Sequence, residues 1–179
     1  MPTILAHAAV PIAIGIGLGR RKIPAGLVAA GIMLAMLPDL DIVGLVSGVP
    51  YSDQFGHRGA SHSLFAALAL ALAGTLASRM LAVSAMRVFI FLFVSAASHG
   101  LLDAFTDGGL GVALLWPFSD ERIFAPVRPI LVSPIGLSFF SPEGFRVLIS
   151  EAQYIWAPCV LLAIVLRIAS REPDWVARR

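Results

Sequence analysis

Apolar residues run along this chain in long blocks with short polar interruptions. The blocks fall at 4–19, 24–46, 63–78, 83–104 and about 152–169. A bilayer core needs roughly 20 apolar residues per helix, and fewer where the membrane thins locally. The pattern therefore predicts about five transmembrane helices, the second broken near Pro38. Several blocks are short or carry polar residues at one end, which suits helices lining a cavity that opens towards one surface.

One stretch breaks the pattern. Residues 107–141 contain Pro117, Pro126, Pro129 and Pro134, a density that forbids a continuous helix. An ordered loop of this length usually has a function, and a lid on the membrane surface is expected. Ser141 followed by Pro142 reads as an N-cap and first helical position. Trp116, Tyr154 and Trp156 suit an interfacial aromatic belt. No internal repeat or low-complexity segment is visible.

Composition confirms the membrane reading. Of the 179 residues, 58% are apolar without counting Gly and only 13% are charged. Ordinary soluble domains reach about 45–50% apolar with Gly included. Before the first apolar block there is no basic residue, and Arg20, Arg21 and Lys22 follow it. That polarity is opposite to a secretory signal, so a retained first helix is expected. Cys159 is the single cysteine, which excludes an intrachain disulfide and a Cys-rich metal site. The pI near 9.2 raises the question of nucleic acid, but the basic residues sit at helix ends and topology accounts for them. With five spans, nine of the 13 Lys and Arg residues fall on one side, in the 1–2 loop, the 3–4 loop and the tail. The other side holds Arg58, Arg122, Arg128 and Arg146. The positive-inside rule then places the N-terminus outside and the 172–179 tail in the cytoplasm.

With this topology all four histidines share the outer side. His7 opens the first helix, and "PDLD" at 38–41 puts Asp39 and Asp41 at the break in the second. "HRGASHS" at 57–63 puts His57 and His62 before the third, and His99 and Asp103 share one face of the fourth at i,i+4. Each has an ordinary reading by itself: a headgroup-level histidine, a capping aspartate, loop histidines. Ionisable groups near lipid are expensive, however, and independent causes would scatter them. Imidazoles with carboxylates suit a divalent ion, Zn²⁺ foremost, with Mn²⁺ or Fe²⁺ as alternatives. Seven such groups exceed one tetrahedral ion's needs, so one or two ions are expected. Arg58 reads as a fork for phosphate or carboxylate, or else as a solvated loop charge. Ser61 and Ser63 read as helix caps, and Asp107 before Gly108-Gly109 as a turn.

These motifs carry a family resemblance. The N-terminal His, "PDLD", "HRGASHS", "SHGLLDAFTDGG" and "LLWPFS", in that order and spacing, resemble the YdjM-like family of LexA-associated inner-membrane proteins. The family pattern usually has Thr where this chain has Ser61. The resemblance implies a metal-dependent hydrolase of a bacterial-type inner membrane, distantly similar to zinc-dependent phospholipase C. It implies the ligand set His7, Asp39, Asp41, His57, His62, His99 and Asp103.

The expectation is an all-α integral membrane protein, residues 1–179 forming one domain, with its site facing the extracytoplasmic side. Its expected activity is hydrolysis of a lipid phosphoester, a phospholipid or polyprenyl-phosphate headgroup, through metal-activated water. Asp39 or Asp41 would bridge ions or act as base, with Arg58 neutralising charge. No nucleic-acid partner is expected. A metal-ion transporter is the rival reading, though transporters place ligands near the midplane between related halves. A non-catalytic scaffold stapled by metal is the third, and would close the coordination sphere.

Overall fold

A computed structural model describes residues 1–81, 83–134 and 136–170; the predicted cytoplasmic tail lies outside the described residues. Helices account for the regular structure. Among the described residues there is no strand, only isolated bridges between Thr106 and Ile130 and between Val112 and Ile123.

The first apolar block forms a 3-10 turn, Ala6–Ala8, leading into α1, Ala9–Leu18. The second forms α2, Ala25–Met36, which tightens into a 3-10 stretch at Leu37–Asp41 and resumes as α3, Ile42–Val46. Pro38 sits inside that stretch and has no N–H to continue the α-helical ladder, so the expected break occurs there. The third block is α4, Leu64–Thr75, entered through a 3-10 turn at Ala60–His62. Ser63 caps it by accepting from the Ala66 N–H at 3.0 Å, a bond worth about 1 kcal/mol. The fourth is α5, Ala85–Ala104. The last begins earlier than its apolar run: α6, Pro142–Glu151, passes through a π turn at Ala152–Trp156 into α7, Ala157–Ala169. Ser141 caps α6 and Pro142 takes its first position, as the sequence suggests.

Three of these helical runs are long and apolar enough to cross a membrane: Ala25–Val46, Ala85–Ala104 and Pro142–Ala169. Ala6–Leu18 and Leu64–Thr75 are apolar but shorter. Many large apolar side chains face outwards, among them Leu76, Met80 and Val46, each more than four-fifths exposed. An outer surface of that kind fits lipid and not water.

Two buried clusters hold the bundle. Ala6, Ala9 and Ala13 of the first helix pack on Ile155, Cys159 and Ala163 of the last, with Ile130 from the long loop. Small residues at that contact let the backbones approach closely, which is how helices gain van der Waals contact within a bilayer. Ile23, Leu27, Ala71, Val88, Phe91 and Leu92 join α2, α4 and α5. Glu151, 2% exposed, ties the chain start to α6, accepting from both the N–H and the hydroxyl of Thr3.

The proline-rich loop is pinned to the stretch between α3 and α4. The Arg122 guanidinium donates to the carbonyls of His57, Tyr51 and Asp53, each at 2.9 Å. Ala113 donates its N–H to the Arg58 carbonyl at 3.0 Å, and Leu64 to that of Leu114 at 3.0 Å. The Asp107 carboxylate accepts from the Val132 N–H at 2.9 Å, tying together two parts of the loop 25 residues apart.

Candidate metal centre

Four chain segments deliver ionisable groups to one end of the bundle. His7 arrives at the start of the first helix, Asp39 and Asp41 on the 3-10 break after α2, His57 to His62 on the approach to α4, and His99 with Asp103 at the end of α5. A close contact seats the third segment on the fourth. A Cβ on Gly100 would lie 2.2 Å from the His62 carbonyl oxygen, so only glycine lets α5 and the 3-10 turn approach this far.

Five side chains form the inner group. His62 Nε2 lies 3.3 Å from Asp103 and 3.7 Å from Asp39. His99 Nε2 lies 3.4 Å from Asp39 and 3.9 Å from Asp103. His7 Nε2 lies 3.7 Å from Asp39 and 3.8 Å from Asp103, its ring stacked on that of His99 with centroids 3.7 Å apart. All five are 3% exposed or less. Neither carboxylate of Asp39 and Asp103 has a hydrogen-bond partner, and nor do the Nε2 atoms of His7, His62 and His99. Buried polar atoms almost always find a partner. Here two carboxylates and three imidazole nitrogens converge, buried, on one another.

A second layer backs the first. Asp41 accepts from the Ser61 hydroxyl at 2.6 Å and lies 2.6 Å from His57 Nδ1 and 3.2 Å from His62 Nδ1. Ser61 also lies 2.9 Å from His62 Nδ1. Ser61 therefore orients the site and does not cap α4, which corrects the sequence reading; the cap is Ser63 alone. His62 belongs to both layers, one nitrogen facing each. Burial disfavours its charged form, but the nearby carboxylates of Asp103, Asp39 and Asp41 outweigh that and raise its pKa to about 10.

Arg58 is not a solvated loop charge. It is fully buried, with Nε 3.2 Å from Asp103 and Nη1 donating to the Gly108 carbonyl at 2.8 Å. Neither Nε nor Nη2 makes a hydrogen bond. Its φ of +64° is in the left-handed region, which non-glycine residues rarely adopt and which collects at functional sites. Gly109, at φ +85°, makes room for it: a Cβ there would lie 2.9 Å from Arg58 Nη1.

Two groupings have ligand-capable atoms within 4.8 Å of one another: Asp39, His62, His99 and Asp103, and Asp41, His57 and His62. His7 lies beside the first. All eight residues picked out by the sequence thus assemble at one place. Ser61 as a partner of the second layer and Arg122 as the tie of the long loop were not foreseen. Both signals were weak: Ser61 stands between two histidines, and Arg122 is one arginine in an irregular stretch.

The chain matches the family model described as YdjM inner membrane protein over residues 1–174. It belongs to the YdjM family. It is also 49% identical over 164 residues to "Inner membrane protein YbcI" of Escherichia coli (strain K12), an alignment covering 90% of this chain and 95% of that protein. No solved structure shows significant similarity to the chain. A membrane protein of the YdjM family therefore carries a buried Asp and His group able to hold a metal ion.

Proposed function

We propose that the chain is a membrane-bound, metal-dependent hydrolase acting on a lipid phosphoester. The observation that carries this reading is the convergence of buried, unpartnered carboxylates and imidazole nitrogens at one end of the bundle. Asp39 and Asp103 are two carboxylates in a dry interior, and Arg58 beside Asp103 offsets one of them, so a further cation would lower the cost of the other. Three of His7, Asp39, His62, His99 and Asp103 would hold one divalent ion, Zn²⁺ best suited to the set, with a position left for water. Asp41 and His57, with the Nδ1 side of His62, would orient those ligands or take a second ion. A divalent ion held there lowers the pKa of water towards about 7 and polarises a phosphoryl oxygen.

The chain's own groups have definable tasks. Asp41 accepts from the Ser61 hydroxyl and lies within reach of the His57 and His62 Nδ1 atoms, so its part would be to orient those ligands. The unpartnered Nη2 of Arg58 offers a donor to a phosphoryl oxygen, next to Asp103.

The setting favours a lipid. Ala6–Leu18 and Leu64–Thr75 complete five passes, although helices of 10–17 residues span only about 15–25 Å of a ~30 Å core. Their shortness leaves the site near headgroup level, beneath the 107–141 loop acting as a lid. The basic asymmetry puts that end outside an inner membrane. Acyl chains could then stay in the bilayer while the headgroup meets the site.

The test incubates metal-loaded protein with mixed membrane lipids and follows released headgroups by mass spectrometry. Phosphorylated headgroups or free phosphate should accumulate, and a chelator should stop their release. Cleavage of a carboxylic ester or a peptide with no phosphorylated product would refute the reading.

A further inference from the structure

The end of the bundle opposite the histidines holds a different site. The turn between α1 and α2 and the end of α7 enclose a cavity of about 540 Å³ lined by Gly19, Arg20, Arg21, Lys22, Arg167 and Ser170. No carboxylate lines it among the described residues. It runs into a second space, about 690 Å³, along the groove between α1 and α2, walled by side chains such as Ile12, Ile16, Val28, Ala29 and Ile32. Gly19, Arg20 and Arg167 line both, so the charged cavity and the apolar groove are continuous. The turn is built for this approach. Gly19 has φ +78°, and a Cβ there would lie 2.8 Å from Arg167 Nη1, so glycine lets the α7 guanidinium sit against the turn. Ser170 closes the back, its hydroxyl donating to the Gly17 carbonyl at 3.0 Å.

We propose that this continuous pocket and groove bind one anionic glycerophospholipid, its phosphate in the basic cavity and an acyl chain along the α1–α2 groove. Charge complementarity selects the occupant: four cationic side chains line the cavity, and the groove that continues from it is walled by hydrocarbon. Each basic residue near an anionic headgroup contributes about a fivefold gain in affinity. A zwitterionic headgroup brings its own cation and forfeits that gain. The proposal is independent of the hydrolase reading, because it involves a separate end of the bundle and needs no metal.

The experiment uses the full chain, purified in detergent, with retained lipid read by native mass spectrometry against phosphatidylglycerol, phosphatidylcholine and inorganic phosphate. Wild type should retain one phosphatidylglycerol and little phosphatidylcholine, and millimolar inorganic phosphate should not displace it. Arg20→Gln with Arg167→Gln should weaken retention roughly thirtyfold at an unchanged melting temperature. Ala29→Trp fills the groove without touching a charge and should also expel the lipid. Short-chain phosphatidylglycerol, which cannot occupy the groove, checks the same point in wild type and should compete at least about tenfold less well. Equal retention of phosphatidylcholine, or the double variant retaining phosphatidylglycerol like wild type, would overturn the proposal. Displacement by inorganic phosphate would reduce the site to an anion pocket and overturn the lipid assignment.

Discussion

His99 donates its Nδ1 hydrogen to the Ala35 carbonyl at 2.7 Å, joining α5 to the last turn of α2. A carbonyl only accepts, so Nδ1 carries a proton, and the neutral ring then has its lone pair on Nε2, which faces Asp39 at 3.4 Å. The ring is thereby set as a ligand before any ion arrives. His99→Ala and His62→Ala should each lower bound metal by at least about tenfold while membrane insertion persists, because helix hydrophobicity is unchanged. Elemental analysis of purified protein gives the metal per chain. Full metal content in both variants would remove these histidines from the ligand set.

Asp41 acts through its neighbours in this arrangement. Asp41→Asn keeps the shape but weakens acceptance from Ser61, His57 and His62. The expected outcome is an intact metal stoichiometry at saturation with affinity reduced about 10–100-fold. Competition with a calibrated chelator measures it. An unchanged affinity would confine Asp41 to a structural role.

The inner residues were legible because each is an ionisable group in apolar sequence, where it needs a partner. Their division into two layers was not. Asp39 and Asp41 stand two residues apart, and only the 3-10 geometry after Pro38 sends one inward and the other towards His57 and Ser61. The join at Glu151 was hidden for a related reason. Ser150, Glu151 and Gln153 look like a polar boundary before the last apolar block, yet Glu151 is spent on Thr3 and the helix runs on through the π turn. The fate of Arg58 depends on a backbone conformation that residue type alone does not disclose.

His62 carries a further expectation. With its pKa raised to about 10, it holds a proton at neutral pH when no ion is bound. Ligation requires the neutral ring, so metal uptake near pH 7 should release a proton, and apparent affinity should rise as pH increases towards 10. Calorimetry in buffers of different ionisation enthalpy counts the protons. Uptake with no proton release, or affinity that falls as pH rises, would contradict His62 as a ligand.

The orientation is testable without activity. In a Cys159→Ala background, Ser119→Cys in the long loop should be labelled by an impermeant reagent from outside the cell. A reporter fused after Arg179 should be active in the cytoplasm. Labelling at 119 only after the inner face is opened would reverse the topology.

Arg58 separates binding from chemistry. Its Nε is ion-paired with Asp103 at 3.2 Å and Nη1 donates to the Gly108 carbonyl, while Nη2, without a partner, is the donor offered to a substrate oxygen. Arg58→Lys retains a charge but lacks the planar fork, so it should recover little of what Arg58→Ala loses. Because the charge of Arg58 balances one carboxylate, its removal should leave bound metal nearly unchanged or slightly favoured. Turnover of a phosphorylated lipid should fall by about 10²-fold or more if Arg58 stabilises charge developing on the phosphoryl oxygens. Parallel measurement of metal content and headgroup release distinguishes the roles. A loss of metal proportional to the loss of turnover would make Arg58 a support for Asp103 and nothing more.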